Sequence, residues 1–103
     1  MQWHELLRKA EELDGSGDLE AAEAAYSEAV QAAQTSLGPY DTNLAKCFLA
    51  FAQFLEAHER FGDASLRYKL AAGIYKQRGN TSSQQLAAGK AERMAYLAQT
   101  QGR

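Results

Sequence analysis

The sequence predicts an all-α protein, and three observations carry that prediction. Ala, Leu, Glu, Gln and Lys, all good helix formers, dominate its 103 residues, and β-branched residues are few. Apolar and polar residues nowhere alternate for long; the apolar ones recur three and four apart, the spacing of one helix face. The chain also matches itself when shifted by 42 residues, and a fixed period in this range marks a helical repeat array. The length is that of a single domain.

Five helices follow in order. Leu6, Leu7, Ala10 and Leu13 mark the first, over about 2–14. Gly15-Ser16-Gly17 breaks it, and Asp18 is placed to cap the next. Leu19, Ala22, Tyr26, Ala29, Val30 and Ala33 form the stripe of a second helix, about 18–36. Gly38-Pro39 ends it, and Asp41 or Thr42 can cap the third, about 41–58. That third helix is apolar on more than one face, from Leu44 through Phe48, Phe51 and Phe54 to Leu55, which suits a helix lying between neighbours. Phe61, Ala64, Tyr68, Ala71, Ala72 and Tyr75 mark the fourth, about 60–78, and Gly79-Asn80 stops it. Thr81 or Ser82, with Gln84 or Gln85 three residues on, offers a capping box for a fifth helix that runs to about 100.

The 42-residue shift pairs Leu6 with Phe48, Ala10 with Ala52 and Leu13 with Leu55. It also pairs Leu19 with Phe61, Ala22 with Ala64, Tyr26 with Tyr68 and Ala29 with Ala71. A further shift carries Ala52 to Met94 and Leu55 to Leu97. The expected units are helical hairpins: repeat 1 over about 1–38, repeat 2 over about 41–80, and a terminal helix over about 81–100, all within one domain. Small residues let the two helices of a hairpin approach, and the paired tyrosines fill the space between hairpins.

Composition narrows the function classes. Hydrophobic residues at 46% and charged residues at 23% describe an ordinary globular chain. A net charge of −2 argues against a dedicated nucleic-acid binder. No run of 18 apolar residues exists to cross a membrane. Met1-Gln2-Trp3-His4-Glu5 has neither the basic nor the apolar part of a secretory signal. The single Cys47 forms no internal disulfide, so the expectation is a cytoplasmic protein. The net charge hides an asymmetry. Residues 1–63 carry four basic residues against twelve acidic ones, whereas residues 64–103 carry seven basic residues and one acid, Glu92.

Catalytic and cofactor chemistry finds no foothold. His4 and His58 have no Cys or His at metal-ligand spacing. Gly15-Ser16-Gly17-Asp18 lacks the Gly-Lys-Ser/Thr ending of a phosphate loop and reads as a turn. Cys47 lies in the most apolar helix and reads as a small buried hydrophobe. Glu11 and Glu12 are neighbours in sequence but point about 100° apart on a helix, so they do not share a proton. Trp3 is placed to cover the N-terminal end of the core. No cofactor, no metal and no catalytic residue is expected.

The small–aromatic–small spacing of Ala22, Tyr26 and Ala29, after the Gly17 turn and a helix bearing Leu6, Ala10 and Leu13, resembles a tetratricopeptide repeat. The 42-residue period is longer than that family's usual 34 or so and is similar to the kinesin light chain-like subclass. Ala22-Glu23-Ala24-Ala25-Tyr26 is similar to that subclass's second-helix signature. Leu37-Gly38-Pro39-Tyr40-Asp41-Thr42, followed by Phe51-Ala52, is similar to its inter-repeat turn and next helix. Two departures stand out. Glu59-Arg60 replaces the turn glycine of the second unit, and Lys90 falls where Leu6 and Phe48 stand.

The resemblance implies a right-handed helical-hairpin solenoid that binds a peptide or protein partner and is not an enzyme. Its concave groove would be lined by His4, Leu7, Glu11, Lys46, Leu49, Gln53 and Glu56, with Ala88, Ala91, Ala95 and Ala98 at the far end. The acidic residues at the N-terminal end of this groove, Glu11 and Glu56 among them, call for a basic ligand segment. The family's carboxylate clamp does not carry over. Its positions here look like Leu7, Glu11, Ala50, Ala88 and Glu92, none of which donates to a carboxylate. The alternative is a self-assembling, homo-oligomeric repeat unit. Leu66 and Leu70, one turn apart and matched by Ala24 and Glu28, form a candidate self-association patch extended by Ile74.

Overall fold

The computed structural model describes residues 2–102. It holds five helices, α1 (Trp3–Gly15), α2 (Leu19–Leu37), α3 (Thr42–Ala57), α4 (Phe61–Gln77) and α5 (Thr81–Gln101), and no strand among the described residues. The sequence-based bounds hold to within a residue. Two of the expected caps form. Asp18 accepts from the Ala21 amide at 3.3 Å and Asp41 from the Asn43 amide at 2.7 Å. The cap of α5 differs from expectation: Asn80, not Thr81 or Ser82, accepts from the Ser83 amide at 3.2 Å. Asn is among the strongest N-cap residues, and it follows the reversal residue directly.

Three of the four connections are the same turn. The Leu13 carbonyl accepts from the Asp18 amide and the Asp14 carbonyl from the Gly17 amide, at 3.0 and 3.1 Å. Leu55 and Glu56 accept from Arg60 and Glu59 in the same way, and Tyr75 and Lys76 from Asn80 and Gly79. Each set is a Schellman closure, with the reversal residue in the left-handed region: Gly17 at φ +86°, Glu59 at +61°, Gly79 at +73°. The first two of these turns, at Gly17 and Glu59, are 42 residues apart. Glu59 adopts the conformation for which its mate has glycine.

Consecutive helices pack on each other, and α1 also touches α3. Connections this short make neighbouring helices antiparallel, so α2 and α4 run in the same direction. The Cα extents of 33 × 32 × 16 Å fit two helix layers across the thin dimension. Repeat mates are buried alike: Ala10 with Ala52, Ala22 with Ala64, Ala29 with Ala71, Tyr26 with Tyr68. Tyr26 stacks on Phe51 with ring centroids 5.7 Å apart and leans on Phe54 at 5.0 Å, which joins α2 to α3. One pair breaks the pattern. Leu19, the first residue of α2, is exposed, whereas its mate Phe61 is buried. Side chains lean back over the preceding turn, and the turn before Leu19 is Gly15-Ser16-Gly17-Asp18, which has no long side chain to cover it.

The α5 helix keeps only part of the 42-residue register: Ala87 and Met94 are buried like their mates Ala45 and Ala52. It starts at Thr81, three residues ahead of the mate of Thr42, and its buried stripe runs through Ala87, Ala91 and Met94. Lys90, at the position of Leu6 and Phe48, is exposed. The Ser65 hydroxyl donates to the Ala91 carbonyl at 2.8 Å inside the α4–α5 interface.

Candidate functional site

The side of the molecule formed by α1, α3 and α5 carries two adjoining cavities of about 240 Å³ each. The first lies between α1 and α3, against Glu11, Asp14, Ala50, Gln53 and Ala57. The second lies between α3 and α5, against Leu49, Gln53, Tyr75, Leu86 and Lys90. Gln53 lines both, so its exposed amide forms the waist of one groove. An amide there offers two donors and an acceptor, the complement a peptide backbone requires.

Side-chain bonds hold the groove walls together. His58 Nε2 lies 3.0 Å from Asp14 Oδ1 and joins the ends of α1 and α3. The Tyr68 hydroxyl donates to Glu56 Oε1 at 2.7 Å, and Lys90 Nζ stands 3.8 Å from the same oxygen. The Lys90 ammonium is also 6.0 Å from the centroid of the Tyr68 ring. Burial, and then the bond to Glu56, holds the Tyr68 hydroxyl well above the ordinary phenol pKa. Burial, with Glu11 and Asp14 nearby, pushes Tyr26 up to about 12.

This geometry sorts the sequence-based groove residues. Glu11, Leu49 and Gln53 line the cavities. Leu7 is half-buried against the core, His4 is exposed with its ring edge-on to Trp3, and Lys46 is exposed on α3 two turns before Gln53. Trp3 is half-buried and packs on the core. Glu56 is tied to Tyr68 and Lys90, so its charge is met within the protein.

The far end needs correction. Ala91 is buried against α4, and its carbonyl takes the Ser65 bond. Ala88 and Ala95 lie about 160° and 140° around α5 from Lys90, on the flank away from the second cavity. Leu86 and Lys90 stand where those alanines were expected. The signal for Lys90 was present in the sequence, as the lysine that breaks the apolar repeat.

On the opposite side, α2 and α4 flank a cleft of about 570 Å³ floored by Leu44 and Phe48. Leu66 and Leu70 are exposed beside it, at 50% and 43% of their full surface. Ile74 is not part of that patch. Eight residues turn it about 80° around the helix from Leu66, and it is buried, lining the cleft with Leu44 and Phe48. Arg60 bonds both Glu23 and Asp63 and so joins α2 to the start of α4. These two bonds raise its pKa further.

Burial pushes the Cys47 thiol up to about 11, away from the thiolate that nucleophilic or metal-binding chemistry needs. Among the described residues no group of three or more His, Cys, Asp or Glu is placed to hold a metal ion. Among them, too, no helix is long and apolar enough to cross a membrane. No family model, curated protein or solved structure matches this chain.

Proposed function

We propose that this protein is a non-catalytic interaction module, a tetratricopeptide-like array of two hairpins and a terminal helix. In this reading it holds a segment of a partner protein along the groove of α1, α3 and α5. The pair of cavities meeting at Gln53 carries the reading. One cavity presents Glu11, and with Asp14 already held by His58 this carboxylate sets the local charge. The other is walled by Leu49, Tyr75 and Leu86, and its one cation, Lys90, is balanced by Glu56. The matching ligand is a short segment with a Lys or Arg toward α1 and a Leu-, Met- or Phe-type side chain toward α5, its backbone bonded to Gln53. A reducing, cytoplasmic setting suits the single buried thiol.

A peptide array tests the reading. Octapeptides of Gly and Ser carrying every pair of residues at the two central positions are probed with the whole protein. Signal is expected where a basic residue adjoins a large apolar one. Glu11→Lys should reverse the charge preference, and Leu86→Ser should flatten the apolar preference alone. A pattern untouched by Glu11→Lys, Gln53→Ala and Leu86→Ser would take the site away from this groove.

A further inference from the structure

The α2–α4 side is self-complementary. Helix α2 carries Glu20, Glu23 and Glu28 and no Lys or Arg. Helix α4 carries Arg67, Lys69 and Lys76 against the single Asp63. Their outward stripes are repeat mates of opposite character. On α2 the stripe is Ala24, Glu28 and Gln31; on α4 it is Leu66, Leu70 and Gly73; all six are exposed. The first is small and acidic; the second projects two leucines beside Lys69. The two helices run in the same direction on either side of one cleft.

We propose that this side is the contact between two copies of the chain, with α4 of each copy lying on α2 of the other. A two-fold axis parallel to the helices, between α2 and α4, generates both contacts at once, and the interface closes on itself. Leu66 and Leu70 of one copy then cover the flat Ala24 stripe of its partner, and Lys69 faces the partner's Glu28. The competing two-fold, α4 on α4, would bring the exposed Lys69 and Lys76 against their own kind, and like charges across an interface are disfavoured; Arg67 is turned inward over the Phe51 ring. Apolar area exposed on one helix and opposite charge on its neighbour are therefore satisfied together by a second copy. This contact leaves the α1–α3–α5 groove open, so it stands independently of the proposed function.

Sedimentation equilibrium of the whole protein at about 10 and about 300 µM tests it. The mass should rise with concentration from that of the 11.3 kDa chain toward twice that value. Leu66→Glu with Leu70→Glu should hold the chain at monomer mass, with an unchanged helical circular dichroism spectrum, because both residues are exposed. Glu28→Lys and Lys69→Glu should each weaken the dimer by about tenfold, and the two together in one chain should restore it. Monomer mass at both concentrations would overturn the proposal. A dimer strengthened by Lys69→Glu alone would overturn it in favour of α4 on α4, and a dimer indifferent to all four substitutions would place the contact elsewhere.

Discussion

The two junctions that join one hairpin to the next element differ in construction. Between α2 and α3 the chain takes four residues, Gly38 to Asp41, and Gly38 adopts φ +88°, ψ 172°, a region open to glycine. Beside this junction lies the cleft of about 570 Å³ between α2 and α4. Between α4 and α5 the chain takes three residues in the same Schellman turn that closes each hairpin. There the packing is the most extensive in the molecule, with a buried side-chain bond from Ser65 to Ala91 across it. Helix α5 thus behaves as a third member of the second hairpin, and the first hairpin is attached to that three-helix body through α3 and the Arg60–Glu23 bond. The shorter turn after Tyr75 starts α5 three residues earlier than the 42-residue spacing places it.

Truncating the paired tyrosines should give the largest effects and expose the asymmetry. Tyr68→Ala and Tyr26→Ala are each expected to cost about 3–5 kcal/mol in urea unfolding. The cost at Tyr68 should be greater by about 1 kcal/mol, because its hydroxyl also bonds Glu56 beside Lys90 of α5. Equal losses would mean that the Tyr68 bond adds nothing at the second junction.

Alkaline pH probes the same residues. The folded Tyr26 pKa of about 12 exceeds the unfolded value of about 10. Its contribution is therefore complete below pH 10 or so and is lost as pH rises through about 12. Tyr26→Phe should remove that part of the alkaline loss of stability measured by chemical denaturation. An unchanged alkaline limb would place the titration on other groups.

Smaller substitutions separate the junctions further. Gly38→Ala should destabilise by about 1–3 kcal/mol, from backbone strain alone, since a Cβ there meets nothing within 4 Å. Ser65→Ala should cost about 1 kcal/mol, the worth of one buried hydrogen bond. A Ser65→Ala variant as stable as the parent protein would mean that apolar packing alone docks α5. Glu59→Gly should be the smallest change, within about 1 kcal/mol of the parent, because relief of a left-handed non-glycine backbone is set against loss of the side chain's own interaction.

The helices were legible from the sequence because Leu, Phe and Tyr fall at three–four spacing and because Gly17, Gly38 and Gly79 punctuate them. The setting of α5 was not. Its Ala87, Ala88, Ala91, Ala95 and Ala98 fall within about 100° of arc on one face, and their uniform small size does not say which edge of that face packs on α4 and which lines a groove. Only the Ser65 hydroxyl, a polar group that needs a partner when buried, singles out Ala91, and that partner lies 26 residues away. Consequently Glu11, Leu49 and Gln53 were readable as groove residues from the first two units, whereas Leu86 was not. Ile74 continues the Leu66–Leu70 row, but each step of four residues turns a further 40° around α4, and that turn takes Ile74 into the cleft beside Leu44 and Phe48.

Native-state hydrogen exchange of backbone amides tests the three-helix body most directly. The account predicts that α3, α4 and α5 share one highest opening free energy and that α1 and α2 open below it as a separate unit. Exchange of α5 ahead of α1 and α2, or independently of α4, would contradict it.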